Sequence, residues 1–575
     1  MDAPSPSATV AGGGHVIRAN PAVAALAVLV LCGAAGELPP PTASPPAPTY
    51  GPQSYYVVRY DHWTPADERG FGEFITAIGD SGCRTVDDCL HGPGNPFRAS
   101  DPEGVYFRSD CADLPYTLRF YYAWKRGLPF AYVSAVEPRG HTRDVRYTAR
   151  GNAVAERTTV AGGAVSGYAV FDTLRDTISS ATYRIHPDLE EPLEQDFYSP
   201  AIQPGSIRPG TVIYDPNGHL AIVFRVDPDG RIHYIDSHPD NALTRGFYDL
   251  RFVRSSPGMG AGFKNWRPVM LEGAVRQPDG TYLGGHVTVP QNKAIADFSD
   301  EQFFGNGRRP DDDRDWRSGT FTLNRQTLDY YDYVRARLAG GNLSFDPLKE
   351  VRDLVESNCA DLHYRGDAVN IAIRAGLMDM PQPDRLPPNI YGTEGDWETF
   401  STPSRDARLK TAFKELRDLA ARFMTMYQSG DAKLKYAGPN LAVDMLTTYD
   451  RTAAACKVSY ARSDGSPVSF GYEDARRRLF AMSFDPYHCI ERRWGATEPA
   501  ELATCRDGPV KQAWYAAEQY LRNQIERTYD AEMGFSLPEL QAHAAGSGVA
   551  APPDTDVRTY LWQMRGAVRG KSRGK

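Results

Sequence analysis

The sequence has no Cys-x-x-Cys pair among its eight cysteines, so the most compact zinc-binding pattern is missing and no structural metal is expected. It has no sustained internal repeat, which sets aside stacked-repeat folds. Positive charge is not in excess: a formal net charge of -8 argues against nucleic acid as the main partner. Two acidic turns, Asp215-Pro216-Asn217-Gly218 and Asp227-Pro228-Asp229-Gly230, lack the ligand spacing of a calcium loop and read as ordinary turns. Long apolar runs are scarce as well. Only residues 21–36 qualify, and they fall short of the roughly 20 residues a spanning helix needs. What remains is a chain of 575 residues with 41% hydrophobic and 24% charged side chains, a globular composition with length for two or three domains.

The apolar run follows Arg18 and closes on small residues, so 1–36 is expected to be a secretory signal peptide or an N-terminal anchor. Leu29-Val30-Leu31-Cys32 resembles a lipoprotein box with Leu31 where a small residue belongs. Membrane contact is therefore expected only through 21–36 if uncleaved, or through a lipid on Cys32. Residues 37–54, rich in proline, alanine and serine, read as a linker. Cysteine arithmetic points the same way. Setting Cys32 aside, Cys83 with Cys89 and Cys489 with Cys505 bracket short loops, and Cys359 with Cys456 makes a third pair between helices. Fifteen pairings of six cysteines are formally open; this one leaves Cys111 as the odd thiol. An exported protein (periplasmic, cell-envelope or secreted) with disulfides is expected.

A first domain is expected over 55–268, a polar connecting region over 269–325, and a mostly helical domain of unknown role over 326–575. The first begins with a helix from Pro65 to Ile78 and ends in alternating apolar strands with Asp/Gly turns. Residues 136–200 read as an insertion between the helix expected at Cys111 and those strands. In the last region Leu409, Phe413, Leu416, Leu419 and Phe423 recur at three- and four-residue steps, which predicts one apolar helix face. Trp514, Tyr520, Leu521 and Ile525 suggest another long helix.

Cys111 has the surroundings a catalytic thiol needs. A thiol attacks as thiolate, and helix N-termini and nearby imidazoles favour that form. Ser109 or Asp110 is a suitable helix cap, and Pro115 fits a first turn but not an interior, so a helix is expected to start close to Cys111. Downstream, His219 opens the strand His219–Val226, where alternation puts His219, Ala221 and Val223 on one face. A second strand, Arg231–Asp236, follows the Asp227–Gly230 turn. If the two form a hairpin, Asp236 falls near His219 and orients its ring; His238 is the next candidate for that role.

Cysteine helix, histidine strand and aspartate strand, in this order, resemble the layout of papain-like thiol enzymes. Arg208-Pro209-Gly210-Thr211-Val212-Ile213-Tyr214 followed by Gly218-His219-Leu220-Ala221-Ile222-Val223 resembles NlpC-like and CHAP cell-wall peptidases and amidases. Cys111-Ala112-Asp113, with Gly127-Leu128-Pro129 sixteen residues past the cysteine, is similar to transglutaminase-like cysteine proteins. The resemblance covers about half of 100–268. It implies an α+β fold, a catalytic helix packed on an antiparallel sheet, with Cys111, His219 and Asp236 as catalytic residues. It further implies hydrolysis of an amide bond through a thioester, in a peptide or the peptide stem of cell-wall polymer, with no cofactor. A transglutaminase-like acyltransferase or protease is the alternative, and a non-catalytic exported binding protein is the reading from another class. The Cys111 N–H is the expected oxyanion donor, with Trp63 and Asn95 upstream as candidates for a second.

Two further signals are set aside. Ser357-Asn358-Cys359-Ala360-Asp361-Leu362-His363-Tyr364 matches six of eight positions of Ser109–Tyr116, but no strand histidine with a carboxylate follows it. The aromatic-acidic stretch Tyr391–Glu398 reads as a loop between helices.

Overall fold

A helix starts at Pro65 because Thr64 accepts from the Asp67 N–H and Asp67 answers to the Thr64 N–H, a reciprocal cap that settles two otherwise orphaned donors. This helix, α1 (Pro65–Asp80), buries Phe71, Phe74, Ile75 and Ile78 along one stripe. The structure is a computed structural model that describes residues 55–570 apart from 143, 164, 190–191, 391–394, 401, 527–530 and 543–547. The apolar run 21–36 with Cys32, the linker 37–54 and the first half of the 391–398 stretch lie outside the described residues; the second half of that stretch is not loop but opens a short helix, Gly395–Thr399. Among the described residues no helix is long and apolar enough to cross a membrane.

The second helix, α2 (Leu114–Arg126), is buried nearly all round, a consequence of its aromatic composition: Tyr116, Phe120, Tyr121, Tyr122 and Trp124 all point into core. It ends on Gly127 at φ 69°, the left-handed geometry that glycine accepts at a helix terminus.

Both helices rest on a six-stranded antiparallel sheet of β1 (Phe197–Tyr198), β2 (Val212–Asp215), β3 (His219–Val226), β4 (Ile232–Ser237), β5 (Leu243–Phe247) and β6 (Gly262–Trp266). Its spatial order is β1-β6-β2-β3-β4-β5. Alternation sorts the side chains between two cores. Val212, Tyr214, Leu220, Ile222 and Ile235 pack with α1 and α2. Ile213, Ala221, Val223, Ile232 and Tyr234 pack on the other face with α3 (Tyr330–Leu338), through Tyr330, Tyr333, Val334 and Leu338. A strand buried on both faces has to be apolar at nearly every position, as β3 is. Gly79 of α1 approaches β3 so closely that a Cβ there would meet the Phe224 ring at 2.2 Å.

Three longer helices follow: α4 (Pro347–Arg374), α5 (Thr402–Ser429) and α6 (Leu441–Ala455). The predicted apolar face of α5 is buried at Leu409, Phe413, Leu416 and Phe423 against Val351, Val355 and Leu362 of α4. The predicted long helix around Trp514 is instead two short ones, Pro509–Ala517 and Gln519–Asn523, with Glu518 at the junction (φ -74°, ψ -2°). All described residues belong to one compact unit. Three disulfides close it: Cys83–Cys89, Cys359–Cys456 and Cys489–Cys505. The architecture is thus mixed α+β with antiparallel sheets.

Candidate active site

Cys111 sits in a turn three residues ahead of α2, not inside the helix; regular helix begins at Leu114. The carboxylates on either side build this turn. Asp110 Oδ1 accepts from the Ala112 N–H at 2.7 Å and the Asp113 N–H at 3.3 Å, taking the donors that a helix N-terminus leaves open. Asp113 Oδ1 in turn accepts from the Asp110 N–H and the Ser109 hydroxyl, each at 2.7 Å. Asp110 therefore holds the turn, while the helix itself opens at Asp113 without a side-chain cap, so the thiol precedes the helix.

The turn presses Cys111 against the start of β3. Its Sγ donates to the Gly218 carbonyl at 3.9 Å, and the Leu220 N–H is directed at the sulfur. Gly218 closes the β2–β3 turn at φ 88°, with Asp215 Oδ1 accepting from the Asn217 N–H at 3.1 Å. The thiol thus abuts the strand on both sides of His219.

His219 and Asp236 meet as the hairpin expectation requires. The β3–β4 register pairs Ile222 with Ile235 and Val223 with Tyr234, and the Asp227–Gly230 turn closes it. His219 Nε2 lies 2.6 Å from Asp236 Oδ2. The other oxygen, Oδ1, accepts from the Thr244 hydroxyl, so both carboxylate oxygens are engaged although the residue is fully buried. His238 stacks on His219 at 5.8 Å between ring centroids and bonds Thr244 Oγ1 through Nε2 at 3.0 Å. It supports the pair from the side and is 3.8 Å from Asp236 Oδ1. Alternation puts His219 on the face of Ala221 and Phe252, whereas Cys111 packs with the opposite core; the two come to the wall of one cavity at the first residue of β3.

That cavity, about 170 Å³, is roofed by α4 and α5. Arg408 of α5 contacts His219 Nε2 and lies 3.3 Å from Asp236 Oδ2. Arg405 reaches Asp240 at 3.3 Å, and Tyr364 of α4 stacks on His238 at 4.5 Å. Asp361 also lines the wall, as do Tyr147 and Ser180 from the inserted stretch between the cysteine helix and the sheet.

Electrostatics here oppose a resting thiolate. Burial first, then the Asp110 carboxylate, push the Cys111 thiol well above its ordinary value, with Asp236 and Asp113 adding to the effect. Burial works against the Asp236 carboxylate too, but His238, the His219 hydrogen bond and Arg408 hold it well below the usual range. Burial takes His238 down to about 3 and Asp361 up to about 6.

Cys111, His219, Asp236 and His238 are therefore brought together, and Cys111 is the free cysteine among the described residues. Trp63 and Asn95 are not at the site. Trp63 Nε1 donates to the Pro129 carbonyl at 2.9 Å, and Asn95 Nδ2 to the Leu90 carbonyl at 2.6 Å and the Tyr121 oxygen at 2.7 Å. Sequence reasoning missed Arg405 and Arg408, which read as the polar side of an amphipathic helix. It had a signal for Asp361 and Tyr364 in the Ser357–Tyr364 echo of the cysteine segment and set it aside. Compared with protein-family models, curated proteins and solved structures, the chain matches none.

Proposed function

We propose that the chain is an exported papain-like cysteine hydrolase acting on an amide bond, with peptidoglycan stem peptides as the substrate class its sequence resemblance implies. One observation carries this reading: the free thiol of Cys111 lies against the backbone flanking His219, whose Nε2 is 2.6 Å from Asp236, on the wall of one cavity. In the mechanism, Asp236 engages Nε2, so Nδ1 takes the thiol proton. Cys111 Sγ attacks the amide carbonyl, the imidazolium returns its proton to the leaving amine, and water resolves the thioester. The Cys111 N–H, just ahead of the two N–H groups bound by Asp110, is the oxyanion donor. Among the described residues, three disulfides and one free thiol accord with export.

A second reading, a binding module that keeps the site without turnover, draws support from the raised thiol and from Arg408 on His219. A short iodoacetamide pulse on the unreduced chain, mapped by mass spectrometry, separates the two. The hydrolase reading expects labelling at Cys111 near neutral pH, abolished in rate by His219→Ala. A Cys111 that stays inert in the native chain and in variants that open the roof favours the binding module.

A further inference from the structure

We propose that Asp485, His488 and Glu518 bind a divalent transition-metal ion, zinc, at a structural site that shares no residue with the Cys111 cavity. All three side chains are fully buried, and their ligand atoms lie within 4.8 Å of one another. His488 is oriented for the task. Its Nδ1 is 3.1 Å from Asp507 Oδ2, and Asp507 Oδ1 is fixed by the Cys489 N–H at 2.9 Å. A carboxylate behind the ring is the usual support of a metal-ligating histidine, because it sets the tautomer that leaves Nε2 as the ligand.

Nε2 makes no hydrogen bond; it faces Asp485 Oδ2 at 3.8 Å and Glu518 Oε2 at 3.5 Å. Neither Glu518 oxygen has a hydrogen-bond partner, a costly state for a buried carboxylate. A tetrahedral ion with bonds of about 2.0–2.1 Å holds its ligand atoms roughly 3.3 Å apart, so the ligand atoms, now within 4.8 Å of one another, have to draw together to close the site. Gln382 stands beside it. Its Nε2 donates to Asp485 Oδ2 at 2.5 Å, and its Oε1 is a buried acceptor without a hydrogen bond.

The charge around the site is compatible with a cation. Arg492 at 3.4 Å from Asp507 and Arg522 at 3.7 Å from Glu518 offset two of the three carboxylates. Two other groups with ligand spacing, at Cys359–His363–Cys456 and Cys489–Glu491–Cys505, consist largely of disulfide sulfurs, which are not thiolate ligands while oxidised.

The test uses the unreduced full chain, stripped with a chelator, dialysed against zinc and then against metal-free buffer. The expected result is one zinc retained per chain, a higher Tm than the stripped protein, and loss of the bound zinc in both Glu518→Gln and His488→Gln. Asp507→Asn should weaken zinc binding about 10- to 100-fold while leaving the ligands in place. A wild-type chain that retains no zinc, or retention and Tm unchanged in Glu518→Gln, would overturn the proposal; the cluster is then a buried imidazolium held by carboxylates.

Discussion

Arg408 and Asp236 compete for one atom, Nε2 of His219. The carboxylate lies 2.6 Å from it and requires an N–H; the guanidinium contacts the same nitrogen and can only donate. A guanidinium keeps its charge at any working pH, and here the neighbouring Asp236 and Tyr234 reinforce it against burial. Its presence disfavours a second positive charge on the imidazole and draws the carboxylate away from it. On the proposed mechanism, the Arg408 charge therefore opposes formation of the imidazolium–thiolate pair. Arg408→Gln keeps a polar side chain on α5 and removes the charge. We expect iodoacetamide labelling of Cys111 at neutral pH to speed up about three- to tenfold, since a one-unit shift in a coupled equilibrium is worth a factor of ten. The labelling rate of the parent chain should keep climbing above pH 9, whereas the variant should gain a component nearer neutrality. Equal rate profiles would show that Arg408 does not restrain the site.

His238 offers a pH test that does not depend on activity. Burial carries its folded value down to about 3, against about 6.5 in an unfolded chain. The groups around it are Asp236, His219, Asp240, Arg405 and, stacked on the ring, Tyr364. Because the folded value is depressed, the unfolded chain binds more protons between these limits, and stability falls as pH drops from about 6.5 towards 3. Asp361 works the other way. Its folded value is raised to about 6, so its share of stability falls as pH rises from about 4 to 6. His238→Gln keeps a donor for Thr244 and removes the first slope. The variant should therefore lose less Tm than the parent between pH 6.5 and 5, where His238 is the steeper of the two. Parallel Tm curves would mean that His238 is not held neutral.

What was legible before the structure follows from the range of each interaction. The β3–β4 hairpin was readable because Asp227–Gly230 is a local turn signal and a period of two fixes which residues face each other, which delivers Asp236 to His219. The Cys83–Cys89 and Cys489–Cys505 bridges close short loops, and Cys359–Cys456 followed once those were paired. The start of α2 was displaced because Asp110 and Asp113 bond each other's backbone, a local competition that cap preferences alone do not rank. The α5 side of the roof was not legible. Arg405 and Arg408 stand on the polar side of α5, and nothing in a helical period tells a solvent-facing arginine from one that meets a carboxylate about 170 residues earlier in the chain.

The Cys359–Cys456 bridge links the roof to its own stability. It joins α4 to the residue after α6 across 97 positions, and α4 carries Asp361 and Tyr364 into the cavity two and five residues beyond Cys359. A loop of that length loses much chain entropy when closed, so the bridge is expected to contribute on the order of 4 kcal/mol, less any strain. Cys359→Ser with Cys456→Ser should lower Tm by several degrees without exposing Cys111's neighbours Gly218, in the β2–β3 turn, and Leu220, in the sheet. If α4 seals the site through this bridge, the same double variant should also label faster at Cys111, and limited proteolysis should find new cuts in 347–374 before any in 212–237. Faster labelling without new cuts in α4 would place the opening elsewhere in the roof; slower Cys111 labelling with a lowered Tm would mean that the bridge supports the reactive geometry instead of restraining it.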